Sequence, residues 1–397
     1  MKVVQINCSS SGSTGNIAKA IHKELLKNGD ESYIFYGIGN PTEKNMIRVG
    51  NYFSLHSHSV LSRNLGKQGY FSYMSTQKMI SKIKGINPDI VHLHNLHGSY
   101  LNLPLLFKYL KKSGKRVIIT LHDCWLFTGK CPHFTVANCY RWKDSCGGCV
   151  QLSTYPRSKI DTTEKCLRDK KEWLSGFGDK LKIITVSNWL RDTARRSFLS
   201  QYPIETIYNG IDTDIFHPVD GSGIREKYNI QDKFMILGVS SNWNEQKGLG
   251  EFVKLSEQIS DNEVIVLVGL TEAQIKEMPS NIIGITRTEN ANELAKLYSA
   301  ADVFVNTSKE ETFGLVTAEA MACGTPVIVY DSTACGEIVT EDDGYVLKKD
   351  ESDALIYIQK LKDESKHPKN IFAKEQMVKS YMDLYRSYDH GNEAQHS

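Results

Sequence analysis

No apolar run in these 397 residues approaches the ~20 residues that a helix needs to span a bilayer. The start, MKVVQINCSS, has one Lys and a short strand-like run but no long apolar core, so it does not read as a secretion signal, and the expected location is the cytoplasm. There is no internal repeat of the 20–50-residue type and no low-complexity tract. The G-x-G-x-x-G fingerprint is missing, which disfavours a nicotinamide-dependent oxidoreductase. Zinc-finger, RRM and helix-turn-helix signatures are missing too, so no nucleic-acid partner is expected. No Asp-x-Asp pair stands in a context suited to a metal-held diphosphate. Asp342-Asp343 sits in a Glu-Asp-Asp-Gly stretch that reads as a hairpin or loop tip.

What is present is globular. Hydrophobic residues make up 40% and aromatic residues 10%, and the length calls for two domains. The net charge of +2 conceals an asymmetry. Residues 1–205 hold 30 Lys+Arg against 14 Asp+Glu, a net of +16, and the remainder holds 18 against 32, a net of −14. A basic half suits an anionic partner such as a membrane leaflet or a lipid diphosphate, and it is equally compatible with ordinary solvated charge.

Short apolar runs alternate with amphipathic stretches, the pattern of parallel α/β sheets. The first half has runs at 3–6, 33–36, 90–93, 117–120 and 183–186; the second has them at 234–237, 264–268, 303–305 and 327–329. Pro203, Asn209-Gly210 and Pro218 mark a joint. The expected layout is a Rossmann-like domain over 1–205 with a Cys-rich insert at 124–150, a second over 206–372, and a helix and tail over 373–397. Met377, Tyr381 and Leu384 share one face of that helix, and Gly391–Ser397 reads as disordered.

Four motifs carry chemistry. In the first, SKEETFGLVTAEAMACGTPVIV (308–329), a loop leads from a strand into a helix beginning at Leu315 and stopped by Gly324. A helix N-terminus offers free N–H groups and a positive dipole end, a seat for a diphosphate. Gly314 permits close backbone approach, Glu311 can accept from sugar hydroxyls, and Glu319, two turns into the helix, can accept from a ribose diol. The second, Gly238–Gly248, follows the first strand of the second half, and its Lys247 stands where a helix should begin. The third is Ser10-Ser11-Gly12-Ser13-Thr14-Gly15, a Gly-rich loop after the first strand, read as preceding a helix over 16–26. The fourth is Thr120-Leu121-His122-Asp123 at a strand end, where ligand sites of open α/β sheets gather. His94 and His97 lie past another strand end. The spacing of His92 and His94 suggests a metal only weakly.

Cys131, Cys139, Cys146 and Cys149 crowd into 19 residues and end in a Cys-Gly-Gly-Cys knuckle. Four thiolates suit a structural zinc; buried thiols or two disulfides are open alternatives.

The stretch Glu311 to Glu319, followed by Ala-Cys-Gly-Thr-Pro-Val, resembles the donor signature of the retaining GT-B glycosyltransferases of family four. The resemblance covers nearly the whole chain. It implies two Rossmann-like domains facing a cleft, with the C-terminal helix crossing back to the first. It implies a nucleotide-sugar donor, UDP- or GDP-linked, on Lys247, Glu311, Glu319 and the backbone of Phe313, Gly314, Leu315 and Val316. Gly15 would face the donor phosphates, and His122 would lie near the reacting sugar. Asp123 and His94 fall on the acceptor side. Family members carry an Arg where Asn242 stands, so one fixed cation is missing. Fixed charges, without an obligatory catalytic metal, are expected to stabilise the leaving diphosphate. The His-Asp-x-Trp and Cys-rich stretch resembles a subgroup that builds surface polysaccharide or O-antigen. That implies a saccharide acceptor, lipid-linked, met at the inner leaflet by peripheral contact. A sugar-nucleotide epimerase or phosphorylase on the same fold, and a non-catalytic sugar- or nucleotide-binding protein, are the alternatives.

Overall fold

Near-continuous apolar runs are buried on both faces only when helices cover both sides of a parallel sheet. The computed structural model, which describes residues 1–348, 354–369 and 372–388, has two such sheets. The chain forms two units, one from Met1–Tyr208 with the residues from Met377 onward, the other from Asn209–Gln376.

The first unit contains β1 (Lys2–Ser9), β2 (Glu31–Ile38), β3 (Met46–Arg48), β4 (Ile90–Leu93), β5 (Arg116–Leu121), β6 (Leu181–Thr185) and β7 (Ile204–Thr206). They pair in parallel in the order β3-β2-β1-β4-β5-β6-β7. Three helices of this unit matter below: α1 (Gly12–Lys27), α2 (Tyr52–Leu65) and α3 (Tyr73–Ile86). The second unit contains β8 (Phe234–Val239), β9 (Glu263–Val268), β10 (Ile282–Ile285), β11 (Val303–Asn306), β12 (Val327–Tyr330) and β13 (Gly344–Leu347). These too are parallel, in the order β10-β9-β8-β11-β12-β13. Each sheet therefore reverses direction between its first and fourth strand in chain order, the place where such sheets bind ligands.

The nine strands legible in the sequence are the interior ones. The four missed, β3, β7, β10 and β13, are the sheet edges. An edge strand has one neighbour and is partly solvated, so a run of only three or four residues (MIR, IET, IIGI and GYVL here) suffices. Two local expectations change accordingly. The joint after Gln201 contains β7, and Asp342-Asp343 is a loop tip feeding a parallel strand, not a hairpin.

The helix Lys374–Arg386 places Met377, Tyr381 and Leu384 on one buried face, as their spacing requires. From Met377 on, it packs on Val3, Ile17, Ile21, Ile90, Ile118 and Ile184 of the first unit. Tyr385 and Tyr381 reach the sheet itself: the Tyr385 hydroxyl meets His92 Nδ1 at 2.5 Å and the Tyr381 hydroxyl meets Thr120 Oγ1 at 3.0 Å. The expectation for Gly391–Ser397 lies outside the described residues. Among the described residues no helix is long and apolar enough to cross a membrane.

Candidate functional site

In the second unit, the loops that follow β8 and β11 meet at the sheet's reversal point. Asn244 caps a single turn at Glu245–Lys247 by accepting from the Lys247 N–H at 3.0 Å. Gly248 follows at φ +72°, with the Thr307 carbonyl 2.5 Å from where a Cβ would sit, so only glycine fits. Thr307 Oγ1 donates to the Lys247 carbonyl at 2.8 Å, and the Lys309 N–H donates to the Gln246 carbonyl at 2.8 Å. This lacing presents Lys247 Nζ to Glu311 Oε1 as an ion pair. Glu311 is fixed in turn: its N–H donates to Thr333 Oγ1 at 2.7 Å, and its carbonyl accepts from that hydroxyl at 2.6 Å. Thr307 and Thr333 were not singled out in the sequence, since hydroxyl residues in loops carry no pattern of their own.

Gly314, at φ +96°, opens the helix Leu315–Ala322 without a side-chain cap. Among the described residues nothing accepts from the N–H groups of Leu315 and Val316. These free donors and the dipole end form a seat for an anion. Phe313 is buried against Phe372, ring centroids 5.4 Å apart, and anchors the loop. Glu319 accepts from the Tyr298 hydroxyl at 3.0 Å. Burial pushes its carboxyl up to about 7, against the pull of that hydrogen bond. Asn242 is exposed, its backbone tied to Ser240 Oγ, and supplies no charge.

In the first unit, the groups expected at strand ends do converge, chiefly on one another. His94 Nδ1 and His122 Nε2 are 3.2 Å apart, and His94 Nε2 meets Gln5 Oε1 at 3.1 Å. Burial drives His122 down to about 4 and His94 well below its ordinary value, so both are neutral near pH 7. His97 is the more accessible member: Nε2 is 2.8 Å from Asp123 Oδ2 and Nδ1 is 2.9 Å from the Tyr155 hydroxyl. Burial alone would raise the Asp123 carboxyl, yet His97 and the Trp125 N–H hold it below the usual range. Tyr155 was not anticipated, because it lies beyond the Cys-rich insert and only the fold returns it to the end of β4.

The Gly-rich loop is shorter than expected. Helix α1 already begins at Gly12, so the loop is only Ser10-Ser11 and Gly15 lies within the helix. A Cβ there would stand 2.8 Å from the Ser10 carbonyl carbon. Close packing of α1 on the loop before it accounts for this glycine.

The zinc expectation is not met. Cys131, Cys139, Cys146 and Cys149 line one small cavity with Trp142 and Phe134. Yet among the described residues no three His, Cys, Asp or Glu side chains are gathered to hold a metal ion. All nine cysteines are free thiols, so the two-disulfide alternative is not met either. Cys131 and Cys149 are engaged in hydrogen bonds: Gln151 Nε2 donates to Cys131 Sγ at 3.3 Å, and bonds from Cys131 and the Gln151 N–H draw Cys149 down to about 6. Two buried lysines fasten the insert. Lys130 Nζ donates to the carbonyls of Gln151 and Thr154 at 2.7 and 2.8 Å. Lys170 Nζ donates to those of Trp125 and Thr128 at 2.6 and 2.9 Å, and lies 3.5 Å from the Trp125 ring centroid.

Comparison with known proteins agrees in both halves. Residues 14–215 match the family described as Glycosyltransferase Family 4, and residues 222–375 match Glycosyl transferases group 1. The chain is 23% identical to WcaC of Escherichia coli (strain K12), whose name assigns it to colanic acid biosynthesis as a glycosyl transferase. That match covers 98% of this chain and 100% of WcaC. Among solved structures, sucrose-phosphate synthase from Thermosynechococcus elongatus superposes with a TM-score of 0.71 at 18% identity, covering 98% and 100% of the two chains. Anabaena HepE in complex with UDP and glucose superposes with a TM-score of 0.66 at 15% identity, again covering 98% and 100%. The fold is that of the GT-B glycosyltransferases.

Proposed function

The chain belongs to glycosyltransferase family 4, and on that premise we propose that it moves a glycosyl group from a nucleotide sugar to a hydroxyl of a saccharide acceptor, with retention at the anomeric carbon. The observation that carries this is the uncapped helix at Gly314, with two unclaimed N–H groups, on the same pair of laced loops as the Lys247–Glu311 pair. An anionic diphosphate satisfies those donors and draws the Lys247 ammonium to itself. Glu311, released from the lysine, is then free to accept from the sugar hydroxyls. Glu319 takes the ribose diol.

In the step itself, the bond from the anomeric carbon to the diphosphate oxygen breaks. A bond to the acceptor oxygen forms on the same face, and the acceptor proton passes to the departing phosphate oxygen. The protein's part is positioning and charge stabilisation rather than nucleophilic attack. Lys247 and the helix terminus offset the negative charge that grows on the leaving group. Asn242 adds none, so the load on Lys247 is heavier than in relatives with an Arg there. The acceptor falls to the first unit, at His97 and Asp123, with His122 and His94 holding neutral rings behind them.

HepE is seen with UDP and glucose, which supports a UDP-linked donor. WcaC's name supports a surface polysaccharide as the product, and a lipid-held acceptor at the cytoplasmic face of the membrane accords with the basic first half. A thermal-shift and turnover screen over UDP-, GDP-, ADP- and dTDP-sugars tests the reading. One nucleotide class should raise Tm and support transfer, and Lys247→Ala should abolish both. No shift and no turnover with any class would overturn it.

A further inference from the structure

Helix α2 is built inside out. Of its 14 residues the only ones buried are His58 and Ser62, while Tyr52 and Phe53 are each 78% exposed and Val60, Leu61 and Leu65 stand in solvent as well. The fold secures this helix by polar bonds. The Gly69 N–H donates to His58 Nε2 at 3.3 Å, which leaves Nδ1 to donate to Ser72 Oγ at 2.7 Å. Asn51 and Ser54 form a capping box at its start, and Gly66, at φ +68°, ends it. The first turn of α3 lies beside that of α2. They meet at Gly50, where a Cβ would run into the hydroxyls of Ser54 and Ser75. Tyr73 and Met74, in that first turn of α3, are 54% and 65% exposed and add two more large side chains left in solvent. So many large apolar side chains left in water on two helices whose first turns meet point to a surface that receives a partner.

The charge identifies the partner. Residues 44–88, which hold β3, α2 and α3, contain seven Lys or Arg and no Asp or Glu. Among the described residues none of the seven, Lys44, Arg48, Arg63, Lys67, Lys78, Lys82 and Lys84, makes an ion pair. A second copy of this surface would bring seven cations against seven, with no carboxylate on either side to relieve them. An anionic lipid surface supplies what the helix pair lacks. It has acyl chains for Phe53, Val60, Leu61 and Met74, an interfacial layer suited to tyrosine, and negative headgroups for the lysines and arginines.

We propose that α2 and the first turn of α3 form an interfacial docking surface that inserts Phe53, Leu61 and Met74 into an anionic lipid bilayer. This rests on the proposed function only in expecting a lipid-held acceptor; the docking itself needs no turnover.

Flotation of the full chain with phosphatidylcholine vesicles, with and without phosphatidylglycerol, tests it. The chain should float with the anionic vesicles and be released by salt. The Phe53→Ser/Leu61→Ser variant should lose at least tenfold in partitioning. Lys78→Glu/Lys82→Glu should lose at least about 30-fold, since each cation near such a surface contributes about fivefold. Unchanged Tm and unchanged nucleotide binding show that the variants are folded, and they separate failure of docking from failure of the donor-site reading. Equal flotation of variants and parent would overturn the proposal. So would binding to neutral vesicles as strong as to anionic ones, or a dimer in light scattering that the Phe53→Ser/Leu61→Ser change dissociates.

Discussion

Lys247 and Glu311, 64 residues apart in the chain, form an ion pair, so each occupies the group that the other would offer to a donor in the site proposed above. On that proposal, a bound diphosphate would exchange one partner of Lys247 for another. The two residues should separate in a binding experiment. Lys247→Ala is expected to weaken nucleoside diphosphate affinity by tenfold or more, since hydrogen bonds to charged groups contribute about 1.5–3 kcal/mol. Glu311→Ala should leave that affinity equal or tighter, because the lysine is released, while transfer of the sugar is lost. Isothermal titration with UDP beside a turnover assay checks both. Weakened UDP binding in Glu311→Ala would break the argument.

Glu319 gives a pH signature. Its carboxyl titrates near 7 in the fold and near 4.5 when unfolded, so the folded state binds the proton more tightly. The fold bears no penalty from this group below pH 4.5, and the penalty grows as pH rises to 7 and is complete above it. The shift corresponds to roughly 3 kcal/mol at most. Glu319→Gln should raise the donor-free Tm at pH 8 and change it little at pH 4.5, while weakening nucleotide binding. An equal Tm change at the two pH values would count against the buried-carboxyl account.

The first unit should be acid-sensitive for the opposite reason. Burial lowers His92 to about 3 and His122 to about 4, and His94 well below its ordinary 6.5. Unfolding lets these rings take up protons, so their stability contribution is complete above pH 6.5 and is lost as pH falls toward 4. Urea unfolding followed by tryptophan fluorescence should show this, since Trp125, Trp142, Trp173 and Trp189 all lie in that unit. His92→Gln should flatten the slope between pH 6.5 and 4.

Lys170 holds the strand-end loop to the helix Thr163–Leu174. Lys170→Met keeps the stem but leaves the Trp125 and Thr128 carbonyls without their donor. The expected cost is about 2–4 kcal/mol, one to two unsatisfied buried acceptors. The insert at 124–150 should become sensitive to limited trypsin digestion while the second unit stays resistant. Unchanged digestion would show that the aromatic packing of Phe127, Phe134 and Trp142 suffices.

The sequence alone determined two parallel α/β units, their interior strands, the buried face of the last helix, and the loop-to-helix geometry at Gly314. All of these are written in adjacent residues: continuous apolar strings, glycine and proline stops, a 3.6-residue period. Tertiary structure alone decided the edge strands, the Lys247–Glu311 pair, the close packing at Gly15, the hydrogen bonds of Cys131 and Cys149, and the outward apolar side of α2. Each of these depends on which distant element arrives beside a residue. Burial, pairing and exposure belong to the assembled surfaces, and the same local pattern is compatible with either outcome until those surfaces meet.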